Sequence, residues 1–214
     1  YTLAGIVDQA KGWGVRDDTF NCLGMLRRLG CEDWFMLGDR DLATHIYRSE
    51  MLSKGFRLSE VTSRIARALG VSARIIPMTD DKFETKIVTD VGLMHFQEYL
   101  VRRGSVDRVL GVVFEGAEEA KPAPGVLESI SEARVVIVCP SNPVVSIGTI
   151  LSVRGVRDAL KSTEARVIGI SPIIGGAPVK GPADKLMAGL GMEVSAYGVV
   201  ETYRDFMDVF VIDR

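Results

Sequence analysis

The sequence predicts an α/β fold: a doubly wound, Rossmann-like, mainly parallel sheet with an inserted α+β segment over 54–108. Two observations carry this. Short β-branched runs at 134–139 and 166–170 alternate with helical stretches, the pattern of strand–helix–strand units. Polar, Pro- and Gly-containing loops follow the apolar runs, at 38–41, 79–82, 140–143 and 171–181. Parallel strands end at one edge of a sheet, so such loops are expected to converge there, where ligands bind in open α/β sheets.

In chain order, residues 1–14 read as a partial helix running into a loop at Lys11-Gly12-Trp13-Gly14. Asp17, Asp18 and Thr19 are N-cap candidates for a helix reaching Leu29, with Cys22, Leu26 and Leu29 on its apolar face and Gly30 as its stop. A short strand over 34–37 leads through Gly38-Asp39-Arg40-Asp41 into a helix over 41–53. Ser59 is the expected cap of the next helix, whose stripe is Val61, Ile65, Ala68 and Leu69. Strand 74–78 ends in Thr79-Asp80-Asp81, and residues 86–94 read as a hairpin about Asp90-Val91-Gly92. A short helix from His95, a strand over 109–114 and a helix over 125–131 follow. The last third reads as strands at 134–139, 166–170, 192–195 and 209–212, with helices at 182–190 and 199–207 between them. The whole is expected to be one domain, with 54–108 as an insertion or lid.

The central stretch is 135–151. Its β-branched start suits a strand buried on both faces. Pro140-Ser141-Asn142-Pro143 then breaks the strand, with Asn142 placed to cap a helix and Pro143 suited to its first turn. A helix N-terminus at a sheet edge favours an anion. The alternative is a plain turn and cap.

Composition narrows the function. The chain has 214 residues, 47% hydrophobic and 25% charged, with a net charge of −2. That balance builds a sizeable core and offers no electrostatic footprint for nucleic acid. Three widely spaced cysteines, Cys22, Cys31 and Cys139, imply neither a metal cluster nor a disulfide framework. No apolar run has the length of a membrane span. The expected setting is cytoplasmic. The chain begins without Met and reads as a fragment.

Other constellations could carry chemistry. Asp39, Arg40 and Asp41 form either a polar clamp for a phosphate, hydroxyl or metal, or a capped helix with a local ion pair. His45 lies one turn on, beside Asp41; His95 has no obvious partner. Asp80 and Asp81 are candidates for Mg²⁺, or a turn. Gly175-Gly176 and Lys180-Gly181-Pro182 offer a flexible backbone, a cation and a helix start. The P-loop, GxGxxG and GxSxG patterns are absent from these 214 residues. The residues alone lead to a phosphate-rich or nucleotide ligand at a sheet edge.

Four ordered segments resemble the 2-phospho-L-lactate transferase (CofD-like) family. They are Trp34-x-x-Leu37-Gly38-Asp39-Arg40-Asp41-x-Ala43-Thr44-His45, Met94-His95-Phe96-Gln97-Glu98-Tyr99, Pro140-Ser141-Asn142-Pro143-x-x-Ser146-Ile147 and 171–185. The resemblance implies an Mg²⁺-dependent enzyme of coenzyme F-420 (deazaflavin) biosynthesis. It would move a phospholactyl or phosphoenolpyruvyl group from a guanosine diphosphate-activated donor to the ribityl hydroxyl of the deazaflavin precursor Fo, releasing GMP. It assigns Ser141, Asn142, Pro143, Ser146 and Ile147 to the nucleotide side, extended by Gly175, Lys180 and Gly181. Asp39, Arg40, Asp41, Thr44 and His45 would line the acceptor or reaction centre. A homodimer is a family expectation. The family's Gly-rich phosphate loop and an acidic segment would precede Tyr1, so little or no turnover is expected of these 214 residues alone. The alternative is a non-catalytic, sugar-nucleotide-binding regulator of the related gluconeogenesis-factor type, which should lack the motifs at 38–41 and 94–97.

Overall fold

The computed structural model describes residues 1–213. Contacts divide the chain into two compact units, Tyr1–Asp80 and Asp81–Arg214.

The first unit is helical. Residues 1–14 form turns rather than a helix, closed by a single bridge between Val7 and Val15. Gly5, Gly12 and Gly14 all take positive φ there, which breaks helical continuity. Helix α1 spans Asn21–Arg28, α2 Asp39–Ser53 and α3 Leu58–Ala68. Their core is Leu23, Met51, Val61 and Ala66. The expected face of α1 is corrected: Leu26 and Leu29 are exposed and Leu23 is the buried residue. Gly30 does stop α1, with φ 81° and its N–H on the Arg27 carbonyl.

The caps of α1 and α2 are exchanged. Asp39, the first residue of α2, accepts the N–H groups of Asn21 (3.0 Å) and Cys22 (2.9 Å) at the start of α1. Asp18, just before α1, accepts the N–H groups of Arg40 (2.9 Å) and Asp41 (3.2 Å) in the first turn of α2. Each carboxylate thus satisfies backbone donors orphaned at the other helix's end. Gly38 makes the second cap sterically feasible, because a Cβ there would lie 2.1 Å from the Asp18 Oδ2. Likewise α3 is capped not by Ser59 but through it: Asp80 accepts from the Ser59 N–H (2.6 Å) and Oγ–H (2.8 Å). Glu60 reaches back to the Arg57 N–H at 2.8 Å.

The second unit holds the sheets. Strands β1 (Glu84–Thr89) and β2 (Gly92–His95) form the expected hairpin, and β3 (Val109–Glu115) pairs antiparallel with the other edge of β1. A π-helical turn over Glu98–Arg102 buries Tyr99 completely. After α4 (Val126–Ser131) comes β4 (Val135–Val138), then a second π-helical turn over Pro143–Ile147, α5 (Gly148–Leu151) and α6 (Val156–Ser162). β5 spans Arg166–Ile170, β6 Ile173–Ile174 and β7 Ala177–Pro178, the last two forming a small hairpin. α7 (Ala183–Gly189), α8 (Ala196–Glu201) and β8 (Val209–Val211) complete the unit. β4, β5 and β8 form a parallel sheet in that order, so the α/β class holds.

Three expected strands do not form. Residues 34–37 and 74–78 have no neighbouring strand among the described residues, and unpaired backbone does not make a sheet. Residues 192–195 instead build a cap: the Ser195 Oγ accepts from the Gly198 N–H at 3.0 Å, starting α8 at Ala196 rather than at 199. β4 is not buried on both faces either. It is an edge strand of its sheet, and Val135 and Ile137 are 50% and 60% exposed.

Two glycine substitutions test the exchanged caps. Gly38→Ala forces Asp18 away from α2 and should cost about 1–2 kcal/mol, the usual value of an N-cap. Gly24→Ala, inside α1 with nothing within 4 Å of the added Cβ, should gain about 0.5–1 kcal/mol. Chemical denaturation of both variants reads the contrast; equal effects would show that Gly38 is not reserved for the cap.

Candidate functional site

At the carboxyl ends of β4 and β5 the second unit opens into a cleft of about 600 Å³. Its polar lining includes Ser141, Asn142, Ser146 and Lys180, with the Gly181 backbone beside them. Its apolar lining includes Phe96, Leu100, Val145 and Ile170. This size and mixture suit a small-molecule ligand with one polar and one apolar end.

Asn142 shapes the rim. Its Oδ1 accepts from the N–H groups of Val144 (2.9 Å) and Val145 (3.2 Å), and Pro143 occupies the first position of the turn. The sequence places the cap correctly, but the cap itself takes two of the donors that a phosphate would use. The loop also brings the hydroxyl-bearing Ser141 and Ser146 to the cleft, and the Lys180 side chain lines it with them. Val144, Val145 and Pro143 are buried beneath, anchoring the turn.

The residues expected on the nucleotide side therefore divide. Ser141, Asn142, Ser146, Lys180 and Gly181 come together in the cleft. Pro143 and Ile147 support the turn without lining it, and Pro143 faces a smaller cleft with Arg157 and Tyr203. Gly175 lies outside, at the β6–β7 turn, where its N–H donates to Asp213 at 2.7 Å. Phe96 and Leu100 are cleft residues that the sequence did not single out individually. Their signal was position, since Phe96 directly follows β2 and opens the turn that buries Tyr99.

The residues expected on the acceptor side lie in the first unit. Asp41, Thr44 and His45 line a cleft of about 430 Å³ together with Tyr1, Arg48 and the α3 residues Ile65 and Leu69. Tyr1 donates its phenol proton to Asp41 Oδ1 at 2.6 Å, and burial together with that carboxylate raises the phenol pKa. Arg40 is turned to the Arg16 carbonyl at 3.1 Å and does not line this cleft.

Asp39 is engaged within the fold. Besides its two backbone partners, its Oδ2 accepts from Thr19 Oγ1 (2.6 Å) and Asn21 Nδ2 (3.0 Å). The Thr19 hydroxyl and the Cys22 N–H hold its pKa down to about 2. A carboxylate so satisfied is a cap, and a poor acceptor for a substrate proton at neutral pH.

The paired-carboxylate site for Mg²⁺ does not fit. Both Asp80 oxygens are engaged by Ser59, while Asp81 accepts the Lys121 N–H at 2.8 Å. Among the described residues no group of three His, Cys, Asp or Glu side chains is placed to hold a metal.

Residues 9–214 match the family model described as 2-phospho-L-lactate transferase CofD. The chain belongs to that family. Its whole length aligns at 46% identity with the phosphoenolpyruvate transferase of Kitasatospora aureofaciens, covering 68% of that protein. It aligns equally, at 46%, with the 2-phospho-L-lactate transferase of Methanosarcina acetivorans, covering 69%. A UPF0052-family protein from Bacillus halodurans shares the fold, with a TM-score of 0.56 at 16% identity. That likeness covers 78% of this chain and about half, 51%, of the other. No described helix is long and apolar enough to cross a membrane.

The Asp39 cap predicts a pH dependence. Its folded pKa of about 2 lies below the ordinary 3.8, so its stabilising effect is complete above 3.8 and is lost as pH falls through 2. The stability difference between the native chain and Asp39→Asn should be constant near neutrality and close between about pH 4 and pH 2. Denaturation midpoints measured across that range check it; a gap that persists at pH 2 contradicts the assignment.

Proposed function

We propose that the cleft at the ends of β4 and β5 binds the guanosine diphosphate portion of an activated donor, in a transferase of phosphorylated three-carbon acids. The donor would be lactyl-2-diphospho-5'-guanosine or its phosphoenolpyruvyl counterpart, and the acceptor the ribityl hydroxyl of Fo. The observation that carries the reading is the convergence of Ser141, Asn142, Ser146, Lys180 and Gly181 in one cleft, in a chain of the CofD family.

In the proposed reaction the Fo hydroxyl oxygen attacks the phosphorus that bears the three-carbon acid. A new P–O bond forms, the P–O bond to GMP breaks, and the hydroxyl proton goes to a base. Such displacement needs positioning and neutralisation of charge more than a covalent nucleophile. Lys180 supplies a positive charge, and Ser141 and Ser146 supply hydroxyl donors. Phe96, Val145 and Ile170 offer apolar surface for the rest of the nucleotide. Asp41, Thr44 and His45 belong to the acceptor side of the proposal. Asp39 does not serve as its base, and no step is routed through Mg²⁺ at Asp80 and Asp81.

Calorimetric titration with GDP tests the nucleotide site. Lys180→Ala should weaken binding about 10–100-fold, the range for loss of a charge-assisted hydrogen bond. Asn142→Ala should weaken binding and also cost about 1 kcal/mol of stability through the lost cap. Asn142→Asp separates the two effects: it keeps a capping oxygen and sets a negative charge at the rim, so stability should hold while GDP affinity falls. Unchanged GDP affinity in all three variants refutes the site, and preferential binding of a UDP-sugar favours the regulator reading. Incubating the chain, extended to its relatives' length, with Fo and each guanosine-linked donor tests the reaction by product mass.

A further inference from the structure

The cleft of the first unit has two unlike walls. One face of α2 contributes Asp41, Thr44, His45 and Arg48, residues spaced by one helical turn or its multiple. The α3 side contributes Ile65, Ala66 and Leu69, followed by Val71 and Ile75. The polar wall holds two hydrogen bonds, Arg48 with His45 and Tyr1 with Asp41, with His45 and Asp41 facing each other beyond hydrogen-bond distance. Arg48 Nη1 lies 3.0 Å from His45 Nδ1. His45 Nε2 lies 3.7 Å from Asp41 Oδ1. Asp41 Oδ1 also receives the Tyr1 hydroxyl.

The direction of this chain follows from donor chemistry. A guanidinium has five N–H donors, no acceptor, and does not deprotonate in proteins. His45 Nδ1 must therefore accept from Arg48. The one proton of the neutral ring then sits on Nε2, the nitrogen that faces Asp41. We propose that Arg48 is a positioning residue for His45, holding the ring as an Nε2–H donor toward Asp41 and the cleft. In that state His45 has no free lone pair to take a proton from a substrate hydroxyl. It presents an N–H instead, and the cleft's acceptor at this point is the Asp41 carboxylate. The proposal rests on the reading of this cleft as the acceptor side only for its consequence in catalysis; the tautomer stands apart from it.

The test is ¹⁵N NMR of the two histidines, His45 and His95, at a pH where both rings are neutral, with His95→Gln giving the assignment. The native chain should show His45 as the Nε2–H tautomer. Arg48→Lys, which keeps a donor, should show the same. Arg48→Glu sets an acceptor against Nδ1 and should move the proton to that nitrogen. An Nδ1–H ring in the native chain, or a spectrum that Arg48→Glu leaves unchanged, overturns the proposal. The consequence for the reaction has its own readout in the extended, Fo-competent protein. Arg48→Glu should raise the KM for Fo about tenfold, with GDP affinity unchanged and with Arg48→Lys near native. A normal KM beside a flipped tautomer would refute the acceptor-side reading while leaving the tautomer assignment intact.

Discussion

The cleft that carries the proposed function depends on one side chain, Asn142. Parallel strands β4 and β5 deliver their carboxyl ends to the same edge, but an edge alone holds nothing. The chain must turn sharply after Cys139 and enter a helical turn with no donors left stranded. Pro143 removes one N–H, and Asn142 Oδ1 satisfies the next two. With those needs met internally, Pro143, Val144 and Val145 bury themselves and fix the rim. Ser141 and Ser146 are then held at the cleft on a rigid turn. This arrangement differs from a helix end that offers bare backbone donors to a phosphate: here Asn142 takes the two donors that follow Pro143.

The first unit solves its backbone problem by exchange. Asp18 and Asp39 each cap the other's helix, so α1 and α2 start at positions that depend on one another. The Gly38-Asp39-Arg40-Asp41 segment is thereby explained residue by residue. Gly38 leaves room for Asp18, Asp39 caps α1, the Arg40 and Asp41 N–H groups donate to Asp18, and Asp41's carboxylate remains toward the cleft. Two neighbouring carboxylates in one motif thus have separate tasks. The Thr19 hydroxyl and the Cys22 N–H lower the Asp39 pKa.

Local signals in the sequence were legible where a single residue decides the backbone. The hairpin at β1–β2, the stop at Gly30 and the Asn142-Pro143 cap all lie where composition placed them. What could not be read was pairing and partnership. Residues 34–37 and 74–78 have strand-like composition, yet strands require neighbours, and none pairs with them among the described residues. The β-branched run of β4 pointed to burial on both faces, while the face that carries Val135 and Ile137 is exposed. Asp18 looked like the cap of the helix that follows it and instead serves α2, a contact 22 residues away. Of the residues that line the cleft, Ser141, Asn142, Lys180 and Gly181 stand out because turn residues cluster after strands, and Ser146 through the family resemblance. Phe96 and Leu100 were not, because apolar side chains look alike whether they fill a core or line a cleft.

The most direct test of the account is a GDP titration followed by backbone amide chemical shifts. The account predicts that the shifts concentrate at 140–147 and 171–183, with smaller changes at Phe96 and Leu100. Saturable shifts confined to residues 1–80, or none at millimolar GDP, would contradict it.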